Sequence, residues 1–136
     1  MLNEKPLADK VKAVNALLKA GEPSNWSTDH KGYAGYKPQS IIDAVNTELI
    51  GNWSVEVIDK DKYLSARKDK NGNPIQNVVV WVKVTLSGTS FTACASHPII
   101  DDIGDAWKSA QTDATKKALS HFSIGNRAYH GLLTNK

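Results

Sequence analysis

Acidic side chains at the start and in the middle of the last predicted helix could bind a divalent metal ion. The residues concerned are Asp101, Asp102, Asp105 and Asp113. A metal ion held by carboxylates activates water in many nucleases, so the cluster is compatible with cleavage of nucleic acid. Carboxylates near a helix N-terminus are also stabilised by the helix dipole, which is a purely structural role. We favour the structural interpretation and keep a metal-dependent nuclease as a rival hypothesis.

Other patterns typical of catalysis are missing from the sequence. It has no glycine-rich phosphate-binding loop, no HExxH motif and no GxSxG motif. The four histidines have no metal-binding spacing, and the single cysteine, Cys94, can form neither an internal disulfide nor a cysteine-based zinc site. The strand-like surroundings of Cys94 favour a buried, inert thiol. We therefore expect no catalytic residue, no metal and no cofactor, in a protein that is not an enzyme.

Basic residues fall into three groups that are suited to nucleic acid, because phosphates require cations and bases require flat or polar partners. The groups are Lys60, Lys62, Arg67, Lys68 and Lys70 in the first predicted hairpin, Lys108, Lys116 and Lys117 in the last helix, and Lys31 and Lys37 interleaved with Tyr33 and Tyr36 in a loop. The net charge of +3 permits nucleic-acid binding without requiring it. A solvated loop and helix face is the competing interpretation, which composition alone favours.

Apolar residues at three- and four-residue spacing predict the helices that position these groups. The helices extend over residues 5–20, from Pro38 to a stop at Gly51, and over about 103–122. Pro38 suits the first turn of the second helix, and we expect a nearby polar side chain to cap it. The residues between the first two helices, 22–36, are predicted to form a loop.

The spacing of apolar residues changes to two at Trp53, which predicts strands. A first strand begins there, and two more extend over 76–86 and 90–96. Turn residues at 70–74 and 87–89 separate them. The order of elements predicts an α+β fold: helices, then an antiparallel three-stranded β-meander packed with a long C-terminal helix.

Small residues repeat along the last predicted helix and would let it lie close to a sheet or another helix. They are Ala106, Ala110, Ala114 and Ala118. At about 100° per residue, Lys117 projects beside this alanine row and Lys116 points away from it. The two lysines would therefore cover a wide arc, which suits a helix that grips a nucleic-acid backbone.

The size and composition of the chain fit one folded domain. With 136 residues, 40% of them hydrophobic and 23% charged, we expect a single domain over 1–136, in which 1–32 form an N-terminal helix and loop. The longest strongly apolar run, residues 78–82, is too short to span a bilayer, and the N-terminus has no signal-peptide core. We expect a cytoplasmic protein with no membrane partner.

Two segments resemble a known family. The segment Ala110–Phe122 (AQTDATKKALSHF) resembles the A-x-T-D-A-L-K-R-A-L-x-x-F-G signature of Rad52-type single-strand annealing proteins. Residues 36–53 resemble the Y-x-x-x-x-x-I-x-x-x-N-x-x-F-G-x-x-G-W stretch of the same family, and residues 124–129 are similar to the I-G-R-Y-L-Y ending of its phage and bacterial members. The order of elements agrees, and the resemblance covers residues 33–131.

The resemblance implies a function without covalent chemistry. Proteins of this type form rings or open helical homo-oligomers whose basic groove holds single-stranded DNA by its backbone. They anneal complementary strands without ATP in homologous recombination and DNA repair. The resemblance thus implies that single-stranded DNA, further copies of the chain and a partner exonuclease or single-strand-binding protein are its partners.

The resemblance also implies which residues of this chain contact DNA. Lys116 and Lys117 match the lysine–arginine pair that lines the family's inner groove, and Tyr36 matches a tyrosine that approaches the DNA. Lys108 matches a basic position one turn before the T-D pair. Asp113 matches the family aspartate, whose role is structural.

Some positions depart from the family pattern. A third basic position is Ser120 in this chain, and we take His121 or Arg127 to compensate. Lys31 is the substitute for a family arginine that has no clear match. Lys68 and Lys70, near the hairpin turn, are the candidates for a second, outer DNA site.

Two further alternatives remain beside the nuclease. One is a single-strand or DNA-end-protecting binder that does not anneal. The other is a structural oligomer without a nucleic-acid role. Annealing activity separates the first from our interpretation, and absence of DNA binding would favour the second.

Overall fold

A computed structural model of the chain describes residues 4–28 and 34–125, with side chains from residue 7 onward. In this part of the chain the elements are α1 (Glu4–Ala20), β1 (Trp26–Thr28), β2 (Ala34–Tyr36), α2 (Pro38–Leu49), β3 (Trp53–Lys68), β4 (Pro74–Leu86), β5 (Thr89–Pro98) and α3 (Ile103–Ser120). The predicted α+β class is confirmed, as is the antiparallel sheet β3-β4-β5 packed on the C-terminal helix.

The segment between α1 and α2 differs from the prediction. The sequence predicts a loop, but β1 and β2 pair antiparallel, with Trp26 opposite Tyr36 and Thr28 opposite Ala34. Strands of three residues are too short to show a periodic pattern, so the sequence offers no signal for this hairpin.

Helix α2 begins and ends largely as predicted. Pro38 occupies the first turn, but the preceding residue, Lys37, forms no side-chain capping bond, so the predicted polar cap is wrong. The fixed φ of proline replaces a capping bond in starting the helix. Just after the helix, Gly51 has a φ of +79°, a left-handed conformation that glycine adopts without strain.

The three-stranded sheet has one face packed against α3. Alternate residues of β4 point to that face, and Val78, Val80, Val82 and Val84 are buried there. The turn between β3 and β4 is formed as predicted: the Asp69 carboxylate accepts hydrogen bonds from the backbone amides of Asn71 and Asn73.

A bulge in β3 decides which of its side chains face the helix. Val57 pairs with Val82, but the next pair joins Asp59 and Trp81, which leaves Ile58 as an extra residue. Lys60 therefore lies opposite the buried Val80, on the α3 side of the sheet.

Helix α3 lies against the sheet on one side and against α2 on another. The alanine row packs as predicted: Ala106, Ala110, Ala114 and Ala118 are 0–2% exposed. Beside this row, toward the next strip of the helix surface, Thr115 and Leu119 are also buried. The helix therefore has far less free surface than its polar sequence predicts.

Two other findings concern the surface. Cys94 is exposed on the sheet face opposite α3, paired with Trp81, so the prediction of a buried thiol is wrong. The error arises because, in the described part of the chain, a helix packs on one face of the sheet and Cys94 lies on the other.

Within the described ranges, no helix is long and apolar enough to cross a membrane.

Candidate nucleic-acid interface

The N-terminus of α3 is organised by acidic residues of the cluster Asp101, Asp102, Asp105 and Asp113. Asp102 is the N-cap, and its carboxylate accepts a hydrogen bond of 2.9 Å from the backbone amide of Gly104. Asp105 lies in the first turn, where the helix dipole favours negative charge. Among the described residues, no group of three or more potential ligands could hold a metal ion.

Lys116, in the middle of the family motif, is tied to the β1–β2 hairpin. Its ammonium donates a hydrogen bond of 2.9 Å to the backbone carbonyl of Tyr36. Burial lowers the pKa of Lys116, Asp113 opposes that shift, and Lys117 adds to it. Lys116 does point away from the alanine row as predicted, but in that direction it meets β2 instead of solvent.

Tyr36 belongs to the core of the described structure. Its side chain is 1% exposed, and its hydroxyl donates a hydrogen bond of 2.6 Å to Oε1 of Glu22. A base stacks on an exposed ring face, and the Tyr36 ring offers none in this conformation. Contact between Tyr36 and DNA stays a prediction, and the role that the structure shows is packing.

Lys117 differs from its neighbour because its side chain is exposed. One turn further along α3 lies His121, whose ring stacks on Phe91 of β5 with 5.1 Å between centroids and 20° between planes. Phe122 makes a T-shaped contact with Phe91, with ring centroids 4.9 Å apart and 82° between the ring planes. An exposed cation and an exposed aromatic pair thus lie side by side.

Sequence reasoning missed half of this arrangement. The motif suggests His121 only as a substitute cation, and the local pattern suggests Phe91 only as a strand residue. The family motif runs along one helix, whereas Phe91 is contributed by a strand thirty positions earlier in the chain. The sequence holds no signal for their stacking, which the packing of α3 on β5 creates.

Lys108 lies on another side of α3. Lys117 is nine positions further along the helix. At 3.6 residues per turn, the two side chains are about 180° apart around the helix axis. Near Lys108, the ammonium of Lys60 lies 5.3 Å from the centre of the Trp107 ring. The structure therefore does not bring Lys108 together with Lys117.

The remaining predicted cations are distant or undescribed. Lys68 pairs with Pro74 at one end of the sheet, whereas Phe91 pairs with Val84, ten residues further along β4. At about 3.3 Å per residue these pairs are about 33 Å apart. Lys70 follows Lys68 in the exposed turn. Lys31 and Arg127 lie outside the described residues.

These features define a small α+β protein with a candidate nucleic-acid interface at the C-terminal end of its long helix. The model of the Rad52/22 family of double-strand break repair proteins matches residues 24–132, from the β1–β2 hairpin past the end of α3. The match covers most of the chain, so the chain belongs to this family. A search of curated proteins found no match.

Proposed function

We propose that the chain anneals complementary single strands of DNA without ATP, in homologous recombination and break repair. The observation that carries this proposal is the family match over residues 24–132, which includes both the lysine pair and the hairpin that Lys116 holds. The proposal is for a binding protein and not an enzyme: annealing forms only base pairs and requires no covalent step.

The physical basis is electrostatic. Phosphate contacts are insensitive to sequence, as annealing of arbitrary strands demands. A protein that holds the backbone leaves base edges free to pair with a second strand. A net charge of +3 per chain is modest, so we propose a homo-oligomer, ring or helical, in which repeated lysines form a continuous positive track.

The two lysines of the motif have different roles in this proposal. Lys117 is exposed and binds a phosphate, whereas Lys116 keeps the hairpin against α3. Lys31, Lys108 and Arg127 are proposed to bind further phosphates. We also propose that the protein comes from a phage or a bacterium and acts in the cytoplasm. Its proposed partner protein is an exonuclease or a single-strand-binding protein.

The test is an annealing assay with fluorophore- and quencher-labelled complementary oligonucleotides, without ATP. We expect the protein to accelerate quenching, to leave a non-complementary pair unaffected, and to leave the DNA uncut on a denaturing gel with magnesium. Tight binding without acceleration would instead support an end-protecting binder, and cleavage would support the nuclease. Absence of binding would overturn the proposal.

Matched lysine variants locate the interface. Lys117→Ala is expected to weaken binding and to reduce the slope of log K against log salt by about 0.7 for each phosphate that the variant no longer neutralises. Lys83→Ala is the control, because Lys83 is also exposed but lies on the sheet face opposite α3. Equal effects of the two substitutions would show that binding follows net charge and not this site.

A further inference from the structure

We propose that His121, stacked on Phe91 and adjacent to Lys117, is a platform on which one base of single-stranded DNA stacks. The proposal rests on the proposed function and adds an interaction with bases that the lysines alone do not supply. It assigns a binding role to Phe91 and changes that of His121 from a substitute cation to a stacking surface.

The rings are placed to receive a base. His121 is exposed at the C-terminal end of α3, and Phe91 is 36% exposed. Their mutual stack occupies one face of each ring, and Phe122 makes a T-shaped contact with Phe91. Among the described residues no other ring contacts His121, so its second face is the surface on which a base can stack in the same parallel orientation.

The backbone geometry of α3 places a cation one helical turn from the His121 ring. Lys117 precedes His121 by four residues, so their Cβ atoms are about 6 Å apart on one side of the helix. His121 itself keeps helical dihedral angles, with φ −66° and ψ −18°. A nucleotide whose base lies on His121 can thus place its phosphate within reach of the Lys117 ammonium.

The charges around the platform favour a polyanion. Within α3 the nearest carboxylate is that of Asp113, which lies on the same side of the helix, one turn before Lys117 and two turns before His121. The segment Ser87–Ser96, which carries Phe91, contains no acidic residue. Within these two segments, a phosphate beside His121 is therefore one helical turn closer to Lys117 than to the carboxylate of Asp113.

Stacking suits the proposed activity for a second reason. Every base presents a flat face, so stacking contributes affinity without selecting a sequence. It also leaves the hydrogen-bonding edge of the base free for a complementary strand.

The first test is photocrosslinking of an oligonucleotide that carries 5-iodouracil, followed by mass spectrometry of the crosslinked peptides. We expect crosslinks to His121 or Phe91. Crosslinks confined to other residues, from a complex that binds normally, would overturn the platform while the proposed function stands. A wild-type protein that binds no single-stranded DNA would overturn both.

The second test compares affinities of the full-length variants. His121→Ala is expected to weaken single-strand binding by about tenfold, and His121→Tyr to restore it, because tyrosine stacks but carries no positive charge. The control is Tyr63→Ala, which removes a 43% exposed ring from the far sheet face. Unchanged affinity for His121→Ala, or rescue by His121→Lys but not by His121→Tyr, would overturn the proposal.

Discussion

The ammonium of Lys116 and the backbone carbonyl of Tyr36 are joined by a hydrogen bond of 2.9 Å across 80 residues of sequence. This bond links the long helix to the β1–β2 hairpin. The next residue, Lys117, remains exposed. Two adjacent lysines of one motif therefore have different environments, and substitutions at the two positions should have different effects.

Removing the Lys116 bond should reduce stability. In Lys116→Met the side chain keeps its length but has no donor, and the Tyr36 carbonyl is left without a charged partner. We expect the free energy of unfolding to fall by about 1–3 kcal/mol, measured by urea denaturation. The matched control is Lys117→Met, for which we expect a change within about 0.5 kcal/mol because the side chain is exposed. Equal decreases would contradict the assignment of Lys116 as an anchor.

The same bond predicts a pH dependence. Burial lowers the pKa of Lys116 in the folded protein below that of an ordinary lysine. Between those two pKa values the unfolded chain binds more protons, so the free energy of unfolding rises with pH through that interval and is flat below it. We expect wild type to gain stability relative to Lys116→Met between neutral pH and about pH 10.5.

The measurement is the difference between the urea midpoints of the two proteins across that range. Taking the difference cancels the other lysines and tyrosines, which titrate in both chains. A difference that is constant with pH, or that shrinks as pH rises, would contradict a lowered pKa at Lys116.

Tyr36→Phe separates packing from direct action on DNA. The substitution keeps the buried ring but removes the hydroxyl that bonds to Glu22. We expect the free energy of unfolding to fall by about 1–3 kcal/mol, because a hydrogen bond to a carboxylate is removed. Thermal unfolding should therefore occur at a lower temperature than in wild type. Single-strand affinity at a temperature where both proteins are folded should be unchanged. A large decrease in the affinity of the folded variant would show that the hydroxyl acts on DNA directly.

The sequence predicted those features that repeat along one element. The alternation of Val80, Val82 and Val84 predicted a strand, and the four-residue alanine spacing predicted a helix that packs closely. Where prediction failed, the cause lies between elements. Nothing local shows that β2 covers Lys116, that the bulge at Ile58 turns Lys60 toward α3, or that the sheet leaves Cys94 uncovered.

The candidate site likewise contains residues that the sequence predicts and residues that only the packing of elements reveals. Lys117 could be found from the motif, because its role depends on the spacing within α3. The stack of Phe91 and His121 could not, because it depends on where β5 passes under the end of the helix. Tyr36 matched the family pattern in sequence, and burial decides what its side chain can do.

The basic residues at the far end of the sheet can be tested as a second DNA site. Lys68 and Lys70 are exposed near the β3–β4 turn, about 33 Å of strand from the pair that contains Phe91. If they hold a second strand, Lys68→Ala with Lys70→Ala should leave the affinity for one single strand nearly unchanged. Annealing of two strands should be slower, and the difference from wild type should shrink at higher salt, because salt screens the electrostatic contacts that these lysines make with the second strand.

The control for this double variant is Lys10→Ala with Lys19→Ala, which removes the same charge from exposed positions of helix α1. Equal slowing by both variants would attribute the effect to net charge. A weaker affinity for the first strand in the Lys68 and Lys70 variant would place these residues on the inner track, which would require a path for DNA along the whole length of the sheet.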